Sequence, residues 1–265
     1  MDTALTPTIL LSQLEPLLLG LARIGAAMMT LPLLPAKVFP RQIRMAKAIA
    51  LSLAVYPMMS EQLPDGQLAV GYWTILILKE LFIGGVIGYL MGTLLWAFSS
   101  AGEIIDTQIG FELGQIFDPM SDRPQGPVGS FYGQLGVLLF VALGGLHVFL
   151  ALLYESLAIW PPASFFPVLS AELFDISLAA GASVLEHGAR LFLPVFGLLL
   201  LVELGIGMLN RISPQFETFY FSLPIKAILA VLLIALTMAH MVDLYRDELG
   251  ERSDLIEGLD SSMDP

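Results

Sequence analysis

The sequence predicts an all-α integral membrane protein, a single membrane domain over residues 1–265, and three observations carry that prediction. Of the 265 residues, 56% are hydrophobic and only 14% are charged, against about 45–50% and about 25% in soluble domains; mean hydropathy is +0.79. The apolar residues gather in about six runs, most of them near the roughly 20 residues that a helix needs to cross the hydrocarbon core. Between the runs lie most of the prolines and acids. Some runs are short or interrupted, so the helices are expected to pack as hairpins inside a larger helical assembly.

The first run, Ile9–Leu34, is interrupted by Glu15, Pro16 and Arg23. The second, Met45–Met59, is short and is followed by Pro64, Asp65 and Gly66, with Pro57 near its end. The third, Trp73–Phe98, has Lys79 and Glu80 near its start, and the fourth, Val128–Leu153, leads to Trp160-Pro161-Pro162 and Phe165-Phe166-Pro167. Proline lacks a donor, so these positions read as stops or kinks. The fifth run, Ile176–Leu209, is long and contains Glu186, Arg190, Pro194 and Glu203; the sixth is Leu223–Val242. Residues 243–265 form an acidic C-terminal tail with eight acids and two basic residues, half of the net charge of −12.

That charge opposes nucleic-acid binding, which needs clustered Lys and Arg. The basic connection Lys37, Arg41, Arg44 and Lys47 is expected on the cytoplasmic side; alternation then places 101–127 and 211–222 on the same side and the tail across. No cysteine is present, which removes disulfides, thiolate metal sites and cysteine nucleophiles. His147, His187 and His240 are scattered, and no HExxH, GxSxG or GxxxxGK[ST] pattern occurs, so no catalytic, metal or cofactor site is expected.

Three features stand out. The connection from Gly102 to Pro119 mixes glycines (Gly102, Gly110, Gly114), bulk (Phe111, Phe117) and acids (Asp106, Glu112, Asp118). Irregular backbone at membrane depth survives only when buried in protein or lining a water-filled cavity, so this loop suits a pore constriction or plug; the plain alternative is an ordinary surface loop. Its acids are expected to cap nearby backbone donors or simply to be solvated. Second, Arg23, Lys79, Glu80, Glu186, Arg190 and Glu203 are costly in apolar runs and usually face a bundle interior. Glu186 and Arg190, four apart, share a helix face. A proton relay is one reading of these charges, and satisfied structural pairs are the favoured one, because no dense chain of acids crosses the runs. Third, Gly84, Gly88 and Gly92 recur every fourth residue and make a smooth face for close helix packing.

Taken together and in order, these residues resemble the FliR/SctT family, the single-copy export-gate subunit of type III secretion systems. Four regions carry the likeness: Arg23, Pro32 and the basic connection to Lys47; Gly102-Glu103-Ile104-Ile105-Asp106 through Gly110 to Asp118-Pro119; Leu139-Phe140, Gly144-Gly145, Tyr154-Glu155-Ser156 and Trp160-Pro161; and Leu209-Asn210-Arg211-Ile212-Ser213-Pro214-Gln215 with Ser222-Leu223-Pro224-Ile225-Lys226. The Gly144-Gly145 pair and the Tyr154–Pro161 pattern lean to the injectisome branch over the flagellar one. His147 is displaced from the flagellar position, and Glu217 stands where the family usually has asparagine.

The resemblance implies a non-enzymatic channel subunit of the bacterial inner membrane. It implies assembly with five copies of a P/R-type subunit and four of a Q/S-type subunit, and with an FlhB/SctU-type switch subunit that wraps them. Unfolded protein is the implied substrate, and residues 101–128 the implied plug loop. Pro214, Gln215, Phe219, Pro224 and Lys226 are expected to dock on neighbouring subunits. The alternative function is a small-solute secondary transporter on broken helices, with Pro16 and Pro194 as the breaks; no repeated half supports it.

Overall fold

The computed structural model describes residues 7–33, 40–63, 70–111, 126–164, 171–212 and 218–261. Among them are seven helices and no strand: α1 (Pro7–Thr30), α2 (Arg41–Gln62), α3 (Val70–Ile109), α4 (Pro127–Ala142), α5 (Gly145–Ile159), α6 (Ala171–Ile212) and α7 (Thr218–Ser261). Among the described residues three helices are long and apolar enough to cross a membrane, within α3, α6 and α7, and the bent pair α4–α5 is a fourth candidate. The chain is therefore an all-α integral membrane protein. At a rise of 1.5 Å per residue, helices of 40, 42 and 44 residues are about 60 Å or longer, twice the roughly 30 Å hydrocarbon core. Standing upright, each has about half its length outside that layer.

Several boundaries differ from the sequence reading, and each difference has a cause. α3 continues past Phe98 to Ile109 because its buried stripe continues: Leu94, Leu95, Phe98, Ala101, Ile105 and Ile109 are all covered. Residues 102–109, read as loop, are thus helix, and a turn follows at Gly110 and Phe111. The fourth run is two helices bent by 67°. Gly144 has φ +88°, a left-handed conformation that glycine adopts without steric cost, and Gly145 lies against Phe140 so closely that a Cβ there would meet its ring and carbonyl. α7 runs on through the acidic stretch. Met241, Leu244, Tyr245, Glu248 and Leu249 are buried at helical spacing, so the stripe outlasts the apolar run. Pro16, Pro57, Pro194 and Pro224 lie inside helices and end none of them.

By packing, the chain divides into two compact units, Met1–Gly92 with Leu146–Ala180, and Thr93–Gly145 with Gly181–Pro265. In the first, α1 packs along α2, and Leu19, Ile24, Val55, Met59, Leu76 and Leu157 from α1, α2, α3 and α5 form a core. α3 approaches α1 through Gly84 and Gly88. A Cβ at Gly84 would run into the Arg23 carbonyl, and one at Gly88 into Ala27 O and Thr30 Oγ1. Gly92 is buried. In the second unit the C-terminal part of α3 is the centre. α4 crosses it at Gly102, where a Cβ would lie 2.8 Å from Gly129 Cα and from Val128 O, and at Gly136 against Phe98. Phe98 packs edge-on against Tyr245 of α7, ring centroids 5.1 Å apart.

Candidate functional site

The loop that the sequence singles out begins where α3 ends. Gly110, with φ +96°, closes the helix: its N–H donates to Asp106 O and Thr107 O, both 3.0 Å, and Phe111 N–H donates to Asp106 O at 3.1 Å. This pattern satisfies the last carbonyls of a helix around a left-handed glycine. Phe111 leaves with its ring exposed. Gly114, Phe117, Asp118 and Pro119, and Glu112 with them, lie outside the described residues.

The chain returns at Gly126, the N-cap of α4, which has no side chain to offer. The cap comes instead from Asp106. Its Oδ1 accepts the Val128 N–H at 3.1 Å and its Oδ2 the Gly129 N–H at 2.6 Å. These are the amides that an N-cap side chain ordinarily satisfies, a bond worth about 1 kcal/mol, and the carboxylate also meets the positive end of the helix dipole. Glycine is needed at 126 because a Cβ there would collide with the carboxylate. Asp106 is 3% exposed. One residue therefore finishes α3 with its main chain and starts α4 with its side chain. The sequence suggested caps to nearby donors; these donors are 22 and 23 residues away.

A second tie sits at the same end of α3. Lys226 Nζ donates to Gln108 O at 3.2 Å and pairs with Glu203 Oε2 at 3.3 Å, while Gln108 Nε2 donates to Glu203 at 2.8 Å. Expected to face other subunits, the Lys226 ammonium is engaged here within its own chain. Pro224 is exposed, and Phe219 has only its backbone described; Pro214 and Gln215 lie outside the described residues. Because Glu203 is half exposed, Lys226→Met is expected to cost only about 1 kcal/mol or less. A small shift of the thermal midpoint in detergent checks this, and a collapsed yield would contradict it.

The charges in the apolar runs resolve into a buried knot of the first unit. Arg23 makes a two-point pair with Glu80, Nε to Oε2 at 2.5 Å and Nη2 to Oε1 at 3.0 Å, and Lys79 Nζ reaches Oε1 at 3.1 Å. The remaining donors go to Ser156 near the end of α5 and to the corner after it. Arg23 Nη1 donates to Ser156 Oγ and Nη2 to Trp160 O; Lys79 donates to Pro161 O, Pro162 O and Ser164 O at 2.8–3.0 Å; the Tyr72 hydroxyl donates to Ala163 O. Five successive carbonyls, which the two prolines prevent from continuing a helix, each receive a side-chain donor. The two cations also sit at the negative end of α5. Here the charges are satisfied structural partners. Glu186 and Arg190 pair at 2.6 Å on an exposed face, and His187 Nε2 lies 2.7 Å from Glu248. Among the described residues no group of His, Cys, Asp and Glu is arranged to hold a metal.

A family model described as bacterial export proteins, family 1, matches residues 14–251. The Yop proteins translocation protein T of Yersinia pestis is 30% identical over 195 residues, 73% of this chain and 74% of that protein. The flagellar biosynthetic protein FliR of Caulobacter vibrioides is 28% identical over 234 residues, covering 88% and 92%. The secretion system apparatus protein SsaT of Salmonella typhimurium is 27% identical over 204 residues, covering 77% and 78%.

Proposed function

Because the chain belongs to family 1 of the bacterial export proteins, whose relatives are named for secretion and flagellar export apparatus, we propose that it is a non-enzymatic channel subunit of a type III export gate, with the loop after α3 as its plug. The observation that supports this most directly is the loop itself. It lies between α3, which is long and apolar enough to cross a membrane, and the bent pair α4–α5, which reaches that length only as a pair, and the residues on either side of it, Gly110 and Phe111 before and Val128 and Gly129 after, are bonded to Asp106. Phe111, exposed at its start, begins an apolar constriction that excludes water and ions by dewetting.

The gate sits in the inner membrane and is completed by P/R-type, Q/S-type and FlhB/SctU-type subunits; unfolded protein passes through it. Helices twice the thickness of the hydrocarbon core fit an assembly that rises out of the bilayer. The Tyr154–Pro161 pattern favours the injectisome branch. The small-solute transporter alternative draws no support from the family or from these relatives, and Pro16 and Pro194 lie inside continuous helices.

Deleting Gly110–Phe117 is expected to leave the hetero-oligomer intact by native mass spectrometry, with one copy of this chain, and to make it leak small solutes. A correctly assembled deletion complex that stays ion-tight would overturn the plug assignment.

A further inference from the structure

We propose that His187 and Glu248 form a proton-holding latch: with one proton bound the pair fastens the acidic end of α7 to α6, and loss of that proton lets the end of α7 go. The latch is independent of the plug. Both ring nitrogens of His187 face oxygens. Nδ1 lies 2.8 Å from Ser183 O, one turn back on α6, and Nε2 lies 2.7 Å from Glu248 Oε2 on α7. A backbone carbonyl only accepts, so Nδ1 carries a hydrogen. A neutral imidazole has no second one, and its bare Nε2 would then point a lone pair at a carboxylate oxygen. The opposite tautomer sets the same conflict at Ser183. The contacts therefore require one proton more than a neutral ring beside an ionised carboxylate holds. Imidazole is the stronger base, with a pKa of about 6.5 against about 4.3 for glutamate in model peptides, so the proton sits on the ring.

The side chains of the pair are only 13% and 9% exposed. Glu248 belongs to the buried stripe of Leu244, Tyr245 and Leu249 that holds this part of α7 in place. Without the proton, a nearly covered carboxylate faces a lone pair, a charge that burial makes costly. Turning it out to water breaks the stripe. Bulk protons reach the site, because Glu186 and Arg190 on α6 and Asp243, Arg246 and Asp247 on α7 are exposed around it. The charged groups that act on the ring are Glu248 across from it and Arg190 on its own helix, the latter paired with Glu186 at 2.6 Å. α3 meets α6 at Gly188 with Ala97 O and Ser100 Oγ, and its next acids along the chain are Glu103 and Asp106. α4, which touches α7, has Tyr132 as its one ionisable side chain.

Glu248→Gln separates a latch from a plain structural pair. A glutamine amide donates to a neutral ring through its nitrogen and accepts from a charged one through its oxygen, so E248Q keeps the contact with or without the proton. The chain has no cysteine, and one introduced by L249C, at a position 6% exposed, reports release through its rate of modification by a methanethiosulfonate reagent. Dividing by the rate for G250C, at the exposed neighbouring position, removes the pH dependence of the thiol itself. In the full chain in detergent this ratio is expected to rise several-fold from about pH 6 to about pH 9, the range in which histidine switches, and to stay level with E248Q. A level ratio with Glu248 in place, or the same rise with E248Q, overturns the latch. Should L249C or E248Q fail to fold, the histidine itself decides. H147Q with H240Q, both at exposed positions, leaves His187 as the one imidazole in the chain. Its NMR ring signal is expected to report loss of the proton over the same pH range in which the thermal midpoint falls, by about 2–4 °C. A ring that titrates with no change of midpoint, or a midpoint that falls while the ring stays charged, overturns the latch.

Discussion

Glu80→Gln is expected to cost this protein more stability than any other single change of a polar group in its first unit. The carboxylate is fully buried and faces two cations, Arg23 at two points and Lys79 at one. Neutralising it leaves both ammonium and guanidinium in a site without a counter-charge. Breaking a buried pair in this way costs about 3–5 kcal/mol, a large share of the roughly 5–15 kcal/mol that holds a typical domain folded. The yield of intact complex from detergent extracts should fall sharply, and its thermal midpoint with it. Removing all three charges, with R23M, K79M and E80L, should not recover the loss. Buried ion pairs are often replaceable by apolar side chains of similar volume, but here the cations also serve the carbonyls of Trp160, Pro161, Pro162 and Ser164. A buried carbonyl left without a donor, as that of Pro162 would be, costs about 1–3 kcal/mol, and the part-buried carbonyls of Trp160 and Ser164 lose their bonds as well. A triple variant as stable as the natural chain would show that the knot is a charge pair and no more.

The parts of this architecture that were legible in the sequence are those with local causes. Helix class followed from composition, and Gly84 and Gly88 announced a smooth face by their spacing alone. Arg23, Lys79 and Glu80 were recognisable as groups needing partners. Their partners were not, because Arg23 is 57 positions from Glu80 and 133 from Ser156, and no periodicity encodes such a pairing. The length of α3 was hidden for a related reason. Its final turns carry Gly102, Glu103 and Asp106, residues typical of loops, yet Gly102 marks the crossing of α4 and Asp106 caps that helix from outside it. The bend between α4 and α5 was written as two adjacent glycines inside an apolar run, where a packing motif and a break look alike. Lys226, a docking residue by the resemblance, bonds Gln108 and Glu203 of its own chain, partners that no local spacing encodes.

Gly84→Ala and Gly85→Ala, one residue apart on α3, are expected to move stability in opposite directions. At Gly84 an added methyl would occupy the place of the Arg23 carbonyl, and its other near neighbours are the carbonyl carbon and Cα of the same residue. No side chain can rotate away; only the α1 backbone can move. Overpacking of this kind costs about 1–3 kcal/mol, occasionally more, and the displacement begins at the residue whose guanidinium holds Glu80, so the buried pair loosens as well. At Gly85 nothing within 4 Å meets the new Cβ, and alanine is favoured over glycine in a helix interior by about 1 kcal/mol. The chain purified in detergent should therefore melt lower with G84A and slightly higher with G85A. Equal midpoints for the two would mean that α1 and α3 do not meet at backbone distance, and the contact inferred from the Gly84–Gly88 face would have to be abandoned. Gly88→Ala should fall between them, since one of its obstacles is the Thr30 hydroxyl, which can turn aside at the expense of its bonds to Ala26 O and Ala27 O.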